Sequence, residues 1–105
     1  MGMINVIPIR LNDANALRTV RELSTDSANV YVLSHAKTRM RQRSITFKQV
    51  LCCLRSGHIC ESAHLDIRGD VRVTMRHLNA GDEVHVAVAL KKGIQGKMIA
   101  VITVF

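Results

Sequence analysis

His35, Arg39 and Arg43 recur at intervals of four residues. On an α-helix they fall along one slowly drifting stripe, with Gln42 beside it. Arg41 adds a further cation to the same segment. A guanidinium fork matches a phosphate with two parallel hydrogen bonds, where an ammonium offers a point charge, so this stripe has the chemistry of a phosphate clamp. A solvated helix face is the plainer reading of Arg39 and Arg43. His35 adds to the first reading, because at a helix start the dipole disfavours an imidazolium and favours the neutral ring that proton transfer needs.

Further along, Arg72 and Arg76 keep strand period on one face, about 13 Å apart along the strand. They are suited to line a groove opposite the helix stripe, or to be ordinary surface cations. Thr103 places a hydroxyl in an otherwise apolar run, where it must find a hydrogen-bond partner. Cys52, Cys53, His58, Cys60 and His64 cluster in sequence but lack CxxC or HxxxH spacing, so no metal is expected. The carboxylates, Asp66 and Asp70 in a turn and Asp82 and Glu83 in a hairpin, are too sparse for two-metal hydrolysis, and there is no phosphate-binding glycine loop. His77 and His85 sit in the hairpin arms, facing one another in one reading and lying at the surface in the other. The remaining inventory of His, Arg and a hydroxyl is that of metal-free RNA cleavage. In that reaction a base activates the ribose 2′-OH, cations stabilise the phosphorane, and an acid protonates the leaving oxygen.

These groups need a scaffold, and 105 residues with 48% hydrophobic content supply one compact domain with an aliphatic core. A two-domain enzyme and a disordered chain are both excluded by that arithmetic. The formal charge of +7, with ten of the fifteen cations Arg, points to a polyanionic partner. Three cysteines, two adjacent, make a poor disulfide framework and suit a reducing compartment. Neither a membrane span nor a basic leader is evident, so a cytoplasmic protein is expected.

Residues 1 to 11 are apolar, but Pro8 limits them to an extended arm or edge strand. Asn12 or Asp13 caps a helix through about Glu22, with Ala16, Leu17 and Val20 on one stripe. The polar run from Ser24 to Asn29 reads as a linker, dividing an arm and helix over 1–28 from a domain over 29–105. Val30 to Leu33 forms a brief strand, and Ser34 caps a helix from His35 to about Arg43. Thr46 and Gln49 have capping-box spacing ahead of an apolar stripe of Phe47, Val50, Leu51 and Leu54, and Gly57 ends that helix in a left-handed conformation.

Beyond Ile59 the period becomes two. Val71, Val73 and Met75 alternate with Arg72, Thr74 and Arg76, the run 79–82 turns, and Val84, Val86 and Val88 return. Lys91 to Lys97 reads as a loop, and Met98 to Phe105 as a central strand buried on both faces. The expected class is α+β, with N-terminal helices packed on a three- to four-stranded antiparallel sheet.

The run Ser34-His35-Ala36-Lys37-Thr38-Arg39-Met40-Arg41-Gln42-Arg43-Ser44-Ile45-Thr46 resembles the opening of a bacterial domain-of-unknown-function family with an S-H-A-x-x-R-M-x-x-R-x-I-T signature. The Arg72 strand and the terminal Ile102-Thr103-Val104-Phe105 resemble it too, and the likeness covers residues 29 to 105. That family is similar to the RelE and BrnT ribonuclease toxins. The resemblance implies helices packed on an antiparallel sheet and metal-free RNA cleavage. It also implies a site of His35, Arg39, Arg43, Arg72 and Thr103.

The expectation is a toxin-type endoribonuclease without cofactor, neutralised by a protein antitoxin. Arg39, Arg41, Arg43, Arg72 and Arg76 would bind RNA or another nucleic acid. Its rivals are a noncatalytic nucleic-acid-binding or regulatory protein on the same scaffold and a protein-interaction module of a mobile element. A homodimer is compatible with each.

Overall fold

The computed structural model describes residues 12–79, 81–93 and 96–105; the expected arm over 1–11 lies outside the described residues. Asn12 opens helix α1 (Asp13–Ser24), its side-chain oxygen accepting the Asn15 N–H at 2.8 Å. That satisfies one of the donors a helix start leaves orphaned. Ala16 and Val20 are buried along the expected stripe. The polar run after it is a corner: Ser24 is fully buried, and Ser27–Asn29 makes a 3-10 turn capped by Asp26, which accepts the Ala28 N–H.

Strand β1 (Val30–Val32) leads directly into helix α2 (Ser34–Arg43). The N-cap position belongs to Leu33, without a side-chain cap, and Ser34 is the first helical residue. The reason is that the Leu33 N–H still serves the sheet, donating to Val101 O at 3.1 Å, while its carbonyl already accepts from Lys37 at 2.9 Å. Strand and helix therefore share one residue, and no capping residue fits between them. Ser44 closes α2 in the left-handed region at φ 55°.

Helix α3 (Phe47–Ser56) carries the expected capping box: Thr46 Oγ1 accepts the Gln49 N–H, and Gln49 Oε1 accepts the Thr46 N–H. Gly57 is not left-handed but extended, at φ −79° and ψ −173°. Glycine is needed there for space, since a Cβ would stand 2.5 Å from both Arg76 O and Cys53 O.

Among the described residues the sheet has five strands and is mixed, where a three- to four-stranded antiparallel sheet was expected. In order across the sheet, β1 is followed by β5 (Gly96–Val104), β4 (Asp82–Gly93), β3 (Val71–Asn79) and β2 (His58–Leu65). Only β1 pairs in parallel, matching Val30 to Ile99 and Val32 to Val101. The expected Lys91–Lys97 loop is largely strand, because Lys91 pairs with Met98 and Lys92 with Lys97. A hairpin tip needs only its backbone ladder, so polar side chains do not mark where pairing stops.

The three described helices feed one aliphatic core. Val20 of α1, Ala36 of α2, and Val50, Cys53 and Leu54 of α3 pack on Val73, Met75, Val86, Val88, Ile99 and Val101. Full burial of such side chains contributes about 1.5–3 kcal/mol each. The opposite sheet face carries no described helix. Strand β5 lies second from the β1 edge, with β4 in the middle of the described sheet. It buries Ile99, Ala100 and Val101 in succession, but Ile102 and Thr103 are only half-buried on the open face, so it is not the central strand enclosed on both faces that was expected. The β2 edge is partly closed by Asp13, whose carboxylate accepts the Ala63 N–H at 2.9 Å and the Ser62 hydroxyl at 3.1 Å. Among the described residues no helix is long and apolar enough to cross a membrane.

Candidate functional site

Ala36 seats α2 by burying fully, and this fixes the rest of the helix. Arg39 and Met40 are half-buried, while His35, Arg41 and Arg43 are exposed. The His35–Arg39–Arg43 stripe therefore runs beside the seated side of the helix. Arg41 lies two positions from Arg39 and so on another side, where its guanidinium reaches Thr38 Oγ1 at 3.4 Å. No hydrogen bond or ion pair ties the His35, Arg39 or Arg43 side chain to another described residue. No Asp or Glu occurs between Asp26 and Glu61, a stretch that carries Lys37, Arg39, Arg41, Arg43, Lys48 and Arg55.

The cations on the open sheet face are in a different state. Arg72 Nε sits 3.0 Å from Asp66 Oδ2, Lys91 Nζ sits 2.9 Å from Asp70 Oδ2, and Arg76 is ion-paired with Glu83. Asp66 also accepts the Arg68 and Asp70 N–H groups at 2.8 and 3.0 Å. Desolvation opposes ionisation of Asp66, but these two N–H groups and the Arg72 guanidinium outweigh it and hold the carboxyl below its ordinary value. His64, Asp66, Arg68, Arg72 and Lys91 line a cleft of about 550 Å³ beside the 66–70 turn.

Thr103 reaches the same face through a bulge. Val88 pairs with Val101 but Ala87 pairs with Thr103, so Ile102 is the extra residue and both 102 and 103 turn away from the core. The Thr103 hydroxyl is half-buried and contacts Val104 O at 3.5 Å. The Thr74 hydroxyl, in the row joined through Ala87, donates to Glu61 Oε1 at 2.9 Å.

The structure thus groups Arg72, Arg76 and Thr103 on the open face and leaves His35, Arg39 and Arg43 on α2, which packs alongside β5. No hydrogen bond or ion pair joins the two sets among the described residues. His77 and His85 do not face one another: His77 pairs with Val84, and His85 with Arg76. His85 instead stacks on Phe105, with ring centroids 5.1 Å apart and an interplanar angle of 4°. The sequence concealed this pair because it depends on register between strands twenty residues apart.

Cys53 is buried against Val84 O, with Sγ to O at 3.7 Å. Burial, reinforced by the neighbouring Cys60, pushes its thiol up to about 12. Cys60 is exposed and Cys52 half-buried. Among the described residues no three His, Cys, Asp or Glu side chains gather as a metal site would require.

Residues 32–105 match the model of a family described as a domain of unknown function (DUF4258). The chain belongs to this family. The DUF4258 match begins at the end of β1 and takes in α2, α3 and strands β2 to β5, so it holds both groups of candidate residues; α1 precedes it. No curated protein and no solved structure matched the chain.

Proposed function

We propose that this chain binds the phosphate backbone of RNA through α2. The observation that carries the reading is the contrast between the two cation sets: Arg72, Arg76 and Lys91 each have a carboxylate partner, whereas Arg39 and Arg43 form no ion pair among the described residues, although Arg43 shares a cleft with Asp82 and Glu83. A phosphate supplies the missing counter-charge and accepts from the guanidinium fork. Arg72 and Arg76 contribute as secondary contacts, after exchanging a carboxylate for a phosphate.

The test is RNA affinity against salt concentration. Arg39→Ala and Arg43→Ala each lower affinity and flatten the salt slope by about 0.7 for a single strand, whereas Arg72→Ala changes it less. Equal slopes in wild type, Arg39→Ala and Arg43→Ala would overturn the assignment.

A second reading is the toxin-type, metal-independent endoribonuclease, held in check by a protein antitoxin. What favours it is the position of His35, exposed at the start of α2 on the same stripe as Arg39 and without a partner, together with the resemblance to the RelE and BrnT toxins. In that reading His35 takes or gives the proton at the ribose or the leaving oxygen, and Arg39 stabilises the phosphorane. Arg72 and Thr103 serve the site from the sheet. Cleavage would proceed in EDTA and leave cyclic phosphate or 3′-phosphate ends. Strict dependence on magnesium would exclude it.

A further inference from the structure

One row of the open face crosses four strands. His58 pairs with Arg76, Arg76 with His85, and His85 exchanges backbone hydrogen bonds with Phe105 at 2.8 and 2.9 Å. Within that row the His85 and Phe105 rings lie parallel at 5.1 Å, and Phe105 keeps 40% of its surface exposed. Tyr31 and Phe47 are exposed as well, but among the described residues only Phe105 is stacked on a second ring. Strand β1 ends opposite Val101, so among the described residues no strand pairs with β5 beyond that point on its outer side. Past the end of β5 a cleft of about 290 Å³ opens between the α2–α3 junction and the start of β4, lined by Arg43, Gln49, Asp82, Glu83 and Phe105 among others.

We infer that the His85–Phe105 pair is a stacking platform for an unpaired nucleobase, and that the chain selects single-stranded nucleic acid over duplex. The inference rests on the phosphate-binding role of α2 and names the kind of strand that α2 receives. Stacking on an aromatic ring accepts any base with a free face, and in a duplex both faces are already covered. The charges in the cleft orient the strand. Arg43 attracts the phosphodiester toward α2, whereas Asp82 and Glu83 repel it and accept hydrogen bonds from base amino groups.

The experiment compares three labelled probes of equal length by fluorescence anisotropy: a single-stranded RNA, the same strand annealed to its complement, and an abasic phosphodiester oligomer. The wild type binds the single strand most tightly. Phe105→Leu removes the ring while keeping apolar bulk, and lowers single-strand affinity roughly five- to hundredfold without changing the salt slope or the abasic affinity. Arg43→Ala weakens all three probes and flattens the slope. His85→Leu, which removes the inner ring, gives an independent reading if Phe105→Leu melts early.

Equal wild-type affinity for single strand and duplex overturns the platform, as does full single-strand affinity in both ring variants. If salt dependence through Arg43 persists in those cases, the phosphate-binding role of α2 stands alone. A wild type that binds none of the probes overturns both.

Discussion

Arg21 and Arg55 cap each other's helices. The Arg21 guanidinium donates to Arg55 O and, at 2.7 Å, to Gly57 O at the end of α3. In return Arg55 Nε donates to Ser24 O at 2.6 Å, and its Nη2 to Thr25 O at 3.5 Å, at the end of α1. Each helix C-terminus carries partial negative charge and unpaired carbonyls, and each receives a cation from the other helix. Two of the ten arginines are thereby committed to structure and drop out of the charge-based inventory of phosphate contacts.

Arg21→Ala and Arg55→Ala should each cost about 1–2 kcal/mol, because carbonyls at a helix end lose charge-assisted donors. For a domain of this size that lowers Tm by several degrees. RNA affinity measured well below the melting range should not change. Unaltered melting in both variants would show that the carbonyls are served equally well by water.

Gly57→Ala should destabilise by about 1–3 kcal/mol through overpacking. The φ of −79° suits any L-residue, so the penalty comes from the Cβ meeting Arg76 O and Cys53 O at 2.5 Å. Denaturant unfolding measures it directly. A neutral result would mean that the α3–β3 junction separates at little cost.

The helices were legible in the sequence because their signals are local: the Asn12 cap, the Thr46–Gln49 box and the apolar stripes each lie within one or two turns. The alternation of β3 and β4 was legible for the same reason. Parallel pairing of β1 with β5 was not, since it joins residues some seventy positions apart and a three-residue strand has no period of its own. The extended Gly57 was misread because its signal, a glycine after a helix, is the same for a left-handed turn and for a close approach. At the candidate site, the spacing of His35, Arg39 and Arg43 was visible. The pairing of Arg72 with Asp66 was not, because it depends on how the 66–70 turn folds back.

The Asp66 carboxyl makes stability pH-dependent with a definite sign. Its folded value lies below the ordinary carboxylate range, so its contribution is present above that range and is lost as pH falls through the lowered value. Asp66→Asn keeps a side-chain oxygen for the Arg68 and Asp70 N–H groups but removes the charge facing Arg72. The difference in Tm between wild type and Asp66→Asn should be greatest near neutrality and shrink in strong acid. A constant difference from neutral to acid pH would show that the ion pair with Arg72 does not stabilise the turn.

His35 separates a phosphate-binding helix from a catalytic one. The side chain is exposed and lacks a described partner, so His35→Ala should leave Tm unchanged. A positioned acid or base contributes about 10²- to 10⁴-fold to rate, whereas a residue of the binding stripe contributes through affinity. In the endoribonuclease reading, His35→Ala therefore lowers single-turnover cleavage in EDTA by that factor, with RNA affinity preserved at saturating protein. Arg39→Ala shows the complementary pattern of weakened affinity and a flatter salt slope. Full cleavage in a well-folded His35→Ala protein would remove this residue from the mechanism. Absence of cleavage by the wild type on both free RNA and translating ribosomes would leave α2 as a binding element, with His35 one more hydrogen-bond donor along its stripe.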